Sequence, residues 1–130
     1  MKEPRPYIEH ILQECNFLIE QSREITFEDF IKDPVLIRAF ERSLEIIGEA
    51  VKNLPTSFKE KYKEIPWKQI AGMRDKLVHE YFGVDYKLLW ETVRVYVPEL
   101  KRQIEEIMKK RVGKHPIPYR HPTNFLENFK

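Results

Sequence analysis

The sequence has little cysteine, little glycine and no long apolar run, and each shortage excludes a class of protein. A single cysteine, Cys15, excludes an internal disulfide framework and a cysteine-based zinc site. Four glycines argue against loops that cradle phosphate groups. No stretch approaches the ~20 apolar residues that a membrane-spanning helix needs. Because no apolar leader with a small-residue cleavage site opens the chain, we expect a cytoplasmic protein with no membrane partner.

What the chain does contain fits one globular domain with a basic tail. Its 130 residues are 42% hydrophobic and 34% charged, which suffices for one core. The net charge of +2 hides an asymmetry, since residues 109–130 carry +5 and the first 108 residues carry −3. We therefore divide the chain into a helical body, residues 1–112, and a basic, proline-rich C-terminal arm, residues 113–130. Such an arm is typical of contact with a polyanion or an acidic partner, and equally of a solvated tail.

Apolar residues recur at three- and four-residue steps, and no alternating pattern of convincing length indicates a strand. Thr26 with Asp29 and Asp33 with Pro34 are typical helix starts. Pro98 lies inside the last helix and is expected to kink it. The predicted helices run from about Pro6 to Ser22, over one turn after Thr26, from Pro34 to about Leu54, over one or two turns from Ser57 to Tyr62, from Pro66 to Gly83, and from Asp85 through Met108. The expected fold is an all-α, up-and-down bundle of about five helices.

The second long helix combines a wide apolar face with a charged opposite face. Opposite charges at helical spacing are typical of an ordinary solvated surface. The residues on that face are Arg38, Glu41, Arg42, Glu45, Glu49 and Lys52.

The predicted helix Pro66–Gly83 breaks this pattern. On its wheel Trp67, Ile70 and Leu77 mark the buried face, and Arg74 lies in the middle of that face. Burial of an unpaired guanidinium is costly, so an arginine there needs a partner or a function. Residues that break a local pattern tend to mark functional sites. Arg74 is therefore the first candidate site residue.

Three further side chains extend this candidate site. Asp75 lies four residues before His79, so a helix makes them neighbours and the carboxylate can fix the imidazole tautomer. Arg74 and Tyr81 lie two turns apart on one stripe, within reach of one anion. Arg74 and His79 lie on different sides of an ideal helix. Either Arg74 reaches around, or the last turn before Gly83 loosens, or two copies of the helix face each other in a symmetric homodimer.

Plain structural interpretations stand beside the functional one: a snorkelling or paired arginine, a solvated histidine–aspartate pair and a core tyrosine. Gly72, seven residues before His79, would allow another backbone to approach closely.

A metal site is poorly supported, because no two of the histidines His10, His79, His115 and His121 lie at close ligand spacing. We expect neither a metal nor another cofactor.

The run RDKLVHEY, residues 74–81, has the pattern Arg-x4-His-x-Tyr, which resembles the signature of the HEPN superfamily and specifically of its HepT-like branch, the DUF86 family. The flanking segments are similar to that branch as well: IIGEA at 46–50, IPWKQIAGM at 65–73, FGVD at 82–85 and VPEL at 97–100. The resemblance covers roughly residues 7–110 and leaves out the arm.

The resemblance implies a small homodimeric helical ribonuclease that acts as the toxin of a toxin–antitoxin pair. Carried over by position, Arg74 and His79 are the catalytic pair and Asp75 is a supporting residue. The implied antitoxin is a minimal nucleotidyltransferase that neutralises the toxin by attaching AMP to the motif tyrosine, here Tyr81. An AMP group would add bulk and negative charge where the RNA phosphate must lie.

The residue types suit metal-independent RNA cleavage. RNA supplies its own nucleophile, the 2′-hydroxyl, so the enzyme must move protons and stabilise a phosphorane. A histidine such as His79 can serve as base or as acid near neutral pH, and Arg74 offers a planar fork of donors to the phosphate oxygens. The arm either holds single-stranded RNA or docks the antitoxin. Contacts with RNA or a partner are expected from Gly72, Lys76, Lys110, Arg111, Lys114 and Arg120.

Two other interpretations stay open. One is a non-catalytic helical module that binds a nucleotidyltransferase and assists it, in which case the purified chain leaves RNA untouched. The other is a bare structural bundle, which requires Arg74 to be paired with a core carboxylate such as Glu45 or Glu49 and requires that no cleft lie near His79.

Overall fold

Helices make up most of residues 3–79 and 83–112, which are the residues that the computed structural model describes. The α-helices are α1 (Arg5–Ser22), α2 (Phe27–Ile31), α3 (Pro34–Asn53), α4 (Thr56–Lys61), α5 (Trp67–Ala71), α6 (Met73–Leu77), α7 (Tyr86–Glu91) and α8 (Val97–Val112). Two strands of two residues each, β1 (Val78–His79) and β2 (Gly83–Val84), pair antiparallel between α6 and α7. The predicted all-α class is confirmed.

The helix starts carry the caps that the sequence indicates. Thr26 and Asp29 form both hydrogen bonds of a capping box at 3.1 Å. The side chains of Asp33 and Asp85 each accept a hydrogen bond of 3.0 Å from the backbone N–H three residues further on. The cap at Asp33 is a local signal, and α3 begins at its predicted residue. The helices α1 and α4, which have no side-chain cap, also begin and end within about one residue of their predicted bounds.

The core lies between the three long helices. α1 packs against both α3 and α8, and α3 also carries α2, α5 and α6. The fully buried side chains at the centre include Ile11, Leu18, Phe40, Leu44, Ile47 and Ile104. Burial also raises the pKa of the Cys15 thiol to about 12, so this cysteine is a neutral core side chain near pH 7. Within the described residues, no helix is both long enough and apolar enough to cross a membrane.

The last long helix is irregular just before Pro98, where the sequence predicts a kink. A π-helical turn (Thr92–Tyr96) joins α7 to α8, and the N–H of Val97 bonds to the carbonyl of Thr92. Pro98 itself has no N–H to donate, so the regular α-helical pattern is interrupted there. The irregularity takes the form of a wider turn, which is common near functional surfaces.

The prediction of one continuous helix from Pro66 to Gly83 is wrong in the second half of that segment. α5 and α6 are separate helices with Gly72 between them, and α6 ends at Leu77. Gly83, with φ of +82°, starts the strand that returns along β1, and the N–H of Asp85 donates to the carbonyl of Leu77 at 2.9 Å. A hairpin therefore replaces the last helical turn. Glycine at both ends leaves this segment little local helical stability, so tertiary hydrogen bonds decide its conformation.

The contact between α3 and α5 depends on Gly48, in the IIGEA run. A Cβ atom added to Gly48 would lie 3.0 Å from the backbone oxygen of Ala71, the last residue of α5. A backbone oxygen cannot turn aside as a flexible side chain can. Gly48 therefore sets how closely the segment that carries Arg74 approaches α3.

We expect Gly48→Ala to lower the free energy of unfolding by about 1–2 kcal/mol, although alanine is the better helix former. The reason is the steric conflict with Ala71, and urea denaturation measures the loss. Gly72→Ala is the matched control, because a Cβ there would meet nothing closer than the Lys68 oxygen at 3.7 Å. Equal or greater stability of Gly48→Ala relative to the unmodified chain would contradict this account of the packing.

Candidate functional site

Arg74 lies at the second position of α6, just before the hairpin. Its side chain is 40% exposed, so the prediction that it is centred in a buried face is wrong. That prediction assumed one continuous helix, and the break at Gly72 removes its basis. The Nε atom, however, is buried and has no hydrogen-bond partner. Arg74 thus presents a partly buried stem and a guanidinium at the surface.

Two carboxylates flank this guanidinium without forming a hydrogen bond to it. Glu45 Oε2, from α3, lies 3.5 Å from Arg74 Nε, and Asp75 Oδ1 lies 3.7 Å from Arg74 Nη1. The Glu45 side chain is 36% exposed and its other oxygen accepts a hydrogen bond from Arg42. The bare-bundle interpretation named Glu45 as a partner of Arg74, and the structure has this ion pair, although Glu45 is partly exposed and is not the core acid that the interpretation requires.

His79 lies in β1, where its backbone pairs with Gly83. Its side chain and all of Tyr81 lie outside the described residues. Since α6 ends before His79, the expectation that Asp75 and His79 are neighbours on one helix is wrong, whereas the helical stripe predicted for Arg74 and Tyr81 falls partly outside the described residues. Of the three arrangements considered for Arg74 and His79, the structure has the one in which the last turn is no longer helical.

The predicted contact residues are spread over the surface. Gly72 is half-buried and Lys76 is exposed, both beside Arg74. Lys110 is exposed near the end of α8. Arg111 belongs to α8 but its side chain lies outside the described part, as do Lys114, Arg120 and the whole predicted arm. Gly72 and Lys76 therefore lie beside the motif arginine, and Lys110 belongs to a different helix.

An apolar groove of about 580 Å³ runs between α5–α6 and the helix formed by α7, the π-helical turn and α8. Its apolar lining includes Ile70, Met73, Leu77, Leu88, Tyr96 and Leu100. Lys76 and Glu99 also line it, and hydrogen bonds from Arg102 lower the pKa of Glu99. The sequence did not predict this groove, because its walls come from separate elements. Among the described residues, no group of three His, Cys, Asp or Glu side chains is arranged to hold a metal ion.

Sequence reasoning placed Arg42 and Glu45 on a solvated face and missed Arg42 at the site, and it named Glu45 only as one candidate partner of Arg74 in the bare-bundle interpretation. Both belong to α3, which packs against α6, and Glu45 lies between Arg42 and Arg74. The sequence offered Glu45 and Glu49 equally, as acids on that face that could pair with Arg74. Nothing local distinguishes Glu45 from Glu49, one turn further on, which pairs with Lys52 at 3.3 Å.

These features define a small all-α protein whose Arg-x4-His motif spans a short helix and the first strand of a hairpin. Residues 11–107 match the family model described as "Ribonuclease HepT-like". The chain belongs to this HepT-like ribonuclease family.

Relatives with curated names agree with this assignment. A protein of Caldanaerobacter subterraneus subsp. tengcongensis, provisionally named as an RNase, is 68% identical over 110 residues, which are 85% of this chain and 98% of the relative. The "Probable ribonuclease HepT" of Thermococcus cleftensis is 49% identical over 105 residues, 81% of this chain and 96% of the relative. A protein of Methanocaldococcus jannaschii, again provisionally named as an RNase, is 45% identical over 108 residues, 83% of this chain and 89% of the relative. No solved structure gives a significant match.

Proposed function

We propose that this chain is a metal-independent endoribonuclease in which Arg74 and His79 act on RNA. The observation that carries the proposal is the Arg74 side chain, which is partly exposed and meets Glu45 at 3.5 Å and Asp75 at 3.7 Å without a hydrogen bond to either. It stands directly before the strand that contains His79. A cation in that position is available to an anionic ligand such as a phosphate group. Membership of the HepT-like ribonuclease family supports RNA as that ligand.

The proposed reaction uses the 2′-hydroxyl of RNA as nucleophile. The 2′-oxygen attacks phosphorus, the bond to the 5′-oxygen breaks, and the products are a 2′,3′-cyclic phosphate and a 5′-hydroxyl. The Arg74 guanidinium binds the phosphate oxygens and stabilises the charge that builds up on them. His79 accepts the proton of the 2′-hydroxyl or donates one to the leaving oxygen. Asp75, 3.7 Å from Arg74, supports its orientation.

The test is incubation of tag-free, unmodified protein with total RNA in EDTA. We expect fragments that carry cyclic phosphate ends, resolved on a denaturing gel and by end-group analysis. RNA that stays intact at every protein concentration would refute the nuclease proposal. It would favour instead the non-catalytic module that assists a nucleotidyltransferase.

We also propose that the chain acts in the cell as the toxin of a toxin–antitoxin pair. The antitoxin is a minimal nucleotidyltransferase that attaches AMP to Tyr81 and so adds bulk and negative charge where the RNA phosphate must lie. Co-expression with such a partner is expected to add one adenylyl group to the chain, detected by mass spectrometry, and Tyr81→Phe is expected to prevent it. The basic arm, residues 113–130, holds RNA or docks this partner. Deletion of the arm is expected to weaken either RNA binding or partner binding, and the one that is weakened identifies its role.

We also propose that the active form is a homodimer in which a second copy covers the apolar groove. Leu88 and Tyr96 line the groove and are 37% and 63% exposed, and apolar surface of this kind tends to mark an interface. Lys76 and Glu99 at the same groove have opposite charges, so a twofold axis can bring the lysine of one copy to the glutamate of the other. Sedimentation velocity on Tyr96→Asp, which is expected to be monomeric at concentrations where the unmodified chain is dimeric, tests this.

A further inference from the structure

The Glu45 carboxylate lies between two arginines at the candidate site. One oxygen accepts a hydrogen bond from Arg42 on the preceding turn of α3, and the other lies 3.5 Å from Arg74 Nε on α6. The first contact is local to the helix, whereas the second joins residues that are 29 positions apart in the sequence. Glu45 is therefore the described acid that ties the arginine of the motif to the body of the bundle.

The Nε atom of Arg74 needs such a partner. Among the described residues, Arg74 Nε is the buried side-chain polar atom that has no hydrogen-bond partner. An ionised donor in that state is costly, and a carboxylate is the strongest acceptor available to it. Glu45 Oε2 is already at the outer limit of hydrogen-bond distance, so a small side-chain rotation closes the bond. Of the terminal amino groups of Arg74, Nη1 lies 3.7 Å from Asp75 Oδ1, which is too far for a hydrogen bond.

We propose that Glu45 is a positioning residue for Arg74. Glu45 holds the Nε edge of the guanidinium, and the terminal amino groups are left to bind the scissile phosphate as a fork. The inference rests on the proposed nuclease function and adds to it a residue outside the Arg-x4-His motif. An arginine that is 40% exposed has many rotamers, and fixing one of them lowers the cost of reaching the reactive geometry.

Because Glu45 is negatively charged, a positioning role for it can be distinguished by experiment from a passive presence beside Arg74. A carboxylate beside a phosphate site repels RNA, so an acid that only happens to be there would, when neutralised, leave RNA bound more tightly and cleaved at least as fast. If Glu45 positions Arg74, RNA binding and RNA cleavage respond differently to its removal. Its removal leaves RNA binding unchanged or tighter, and slows the cleavage step.

The first experiment measures both quantities for Glu45→Gln. We expect the single-turnover rate constant for RNA cleavage in EDTA to fall about tenfold to a hundredfold, as for other small misplacements of a reactive group. The Kd for RNA, measured by fluorescence anisotropy in a His79→Ala background, is expected to stay equal or decrease. Glu49→Gln is the matched control: it removes the same charge from the same helix, where the partner is Lys52. Cleavage at the unmodified rate by Glu45→Gln would overturn the proposal.

The second experiment does not depend on activity. The Nε–Hε signal of Arg74 in a nitrogen-15 NMR spectrum is assigned by its loss in Arg74→Lys. We expect it to exchange slowly with water in the unmodified chain and at least tenfold faster in Glu45→Gln, with Glu49→Gln unchanged. An Arg74 signal that Glu45→Gln does not alter would overturn the positioning role. If the unmodified chain cleaves no RNA, the nuclease proposal fails, and this measurement alone decides whether Glu45 orders Arg74.

Discussion

His79→Ala is expected to abolish RNA cleavage, with a loss of about 10²–10⁴-fold in the single-turnover rate constant. Imidazole is the side chain whose ordinary pKa lies near neutrality, so it can exchange a proton with the 2′-hydroxyl or the leaving 5′-oxygen under cellular conditions. Alanine removes this group and adds no charge or bulk. Gel assays with total RNA in EDTA measure the effect, and the same variant is expected to lose toxicity on expression.

The location of His79 makes this loss interpretable. It lies in β1, whose pairing with β2 uses backbone groups, so replacing the side chain leaves those hydrogen bonds in place. Far-UV circular dichroism is expected to be unchanged. His10→Ala is the matched control, because His10 is exposed on α1 and takes no part in the site. Cleavage at the unmodified rate by purified His79→Ala would remove the histidine from the mechanism.

Arg74→Lys is expected to lower the rate constant by about 10²–10³-fold while keeping the charge. Lysine presents a single ammonium group in place of the planar fork, so it binds a phosphate without fixing its orientation. It also lacks the Nε atom that lies 3.5 Å from Glu45. The measurement is single-turnover cleavage together with the Kd for RNA, and the larger effect is expected on cleavage.

The control for Arg74→Lys is Arg38→Lys, an equivalent exchange at an exposed position of α3. A merely electrostatic role for Arg74 predicts that lysine restores nearly full activity. That result would leave the fork geometry, and with it the positioning role of Glu45, without support. Arg74→Ala extends the series, and it is expected to weaken RNA binding as well as cleavage because the charge is then gone.

Much of the fold was predictable from the sequence because its determinants are local. The capping box at Thr26, the caps at Asp33 and Asp85 and the apolar spacing of α1 and α3 act within a few residues of themselves. The structure confirms them. The motif arginine was also found from the sequence, although for a reason that the structure corrects: its side chain is partly exposed.

The errors concern the segment after Gly72, where a continuous helix was predicted. The apolar spacing there does fit a helix, but the hairpin gains backbone hydrogen bonds across β1 and β2 and one from Asp85 to Leu77. No pattern within the segment reports those bonds, since their partners follow it in the chain. The helical neighbour relation proposed for Asp75 and His79 failed for this reason.

By itself, the sequence determined the helical class, the positions of the caps and the Arg-x4-His motif that the HepT-like family shares, because propensity, periodicity and motif spacing are properties of neighbouring residues. Only the tertiary structure decided that α6 stops at Leu77, that an apolar groove opens beside it and that Glu45 stands against Arg74. The end of α6 depends on hydrogen bonds to the strand that follows it, and the contact of Glu45 with Arg74 depends on how closely α3 and α5 approach at Gly48. Both involve partners outside the segment itself.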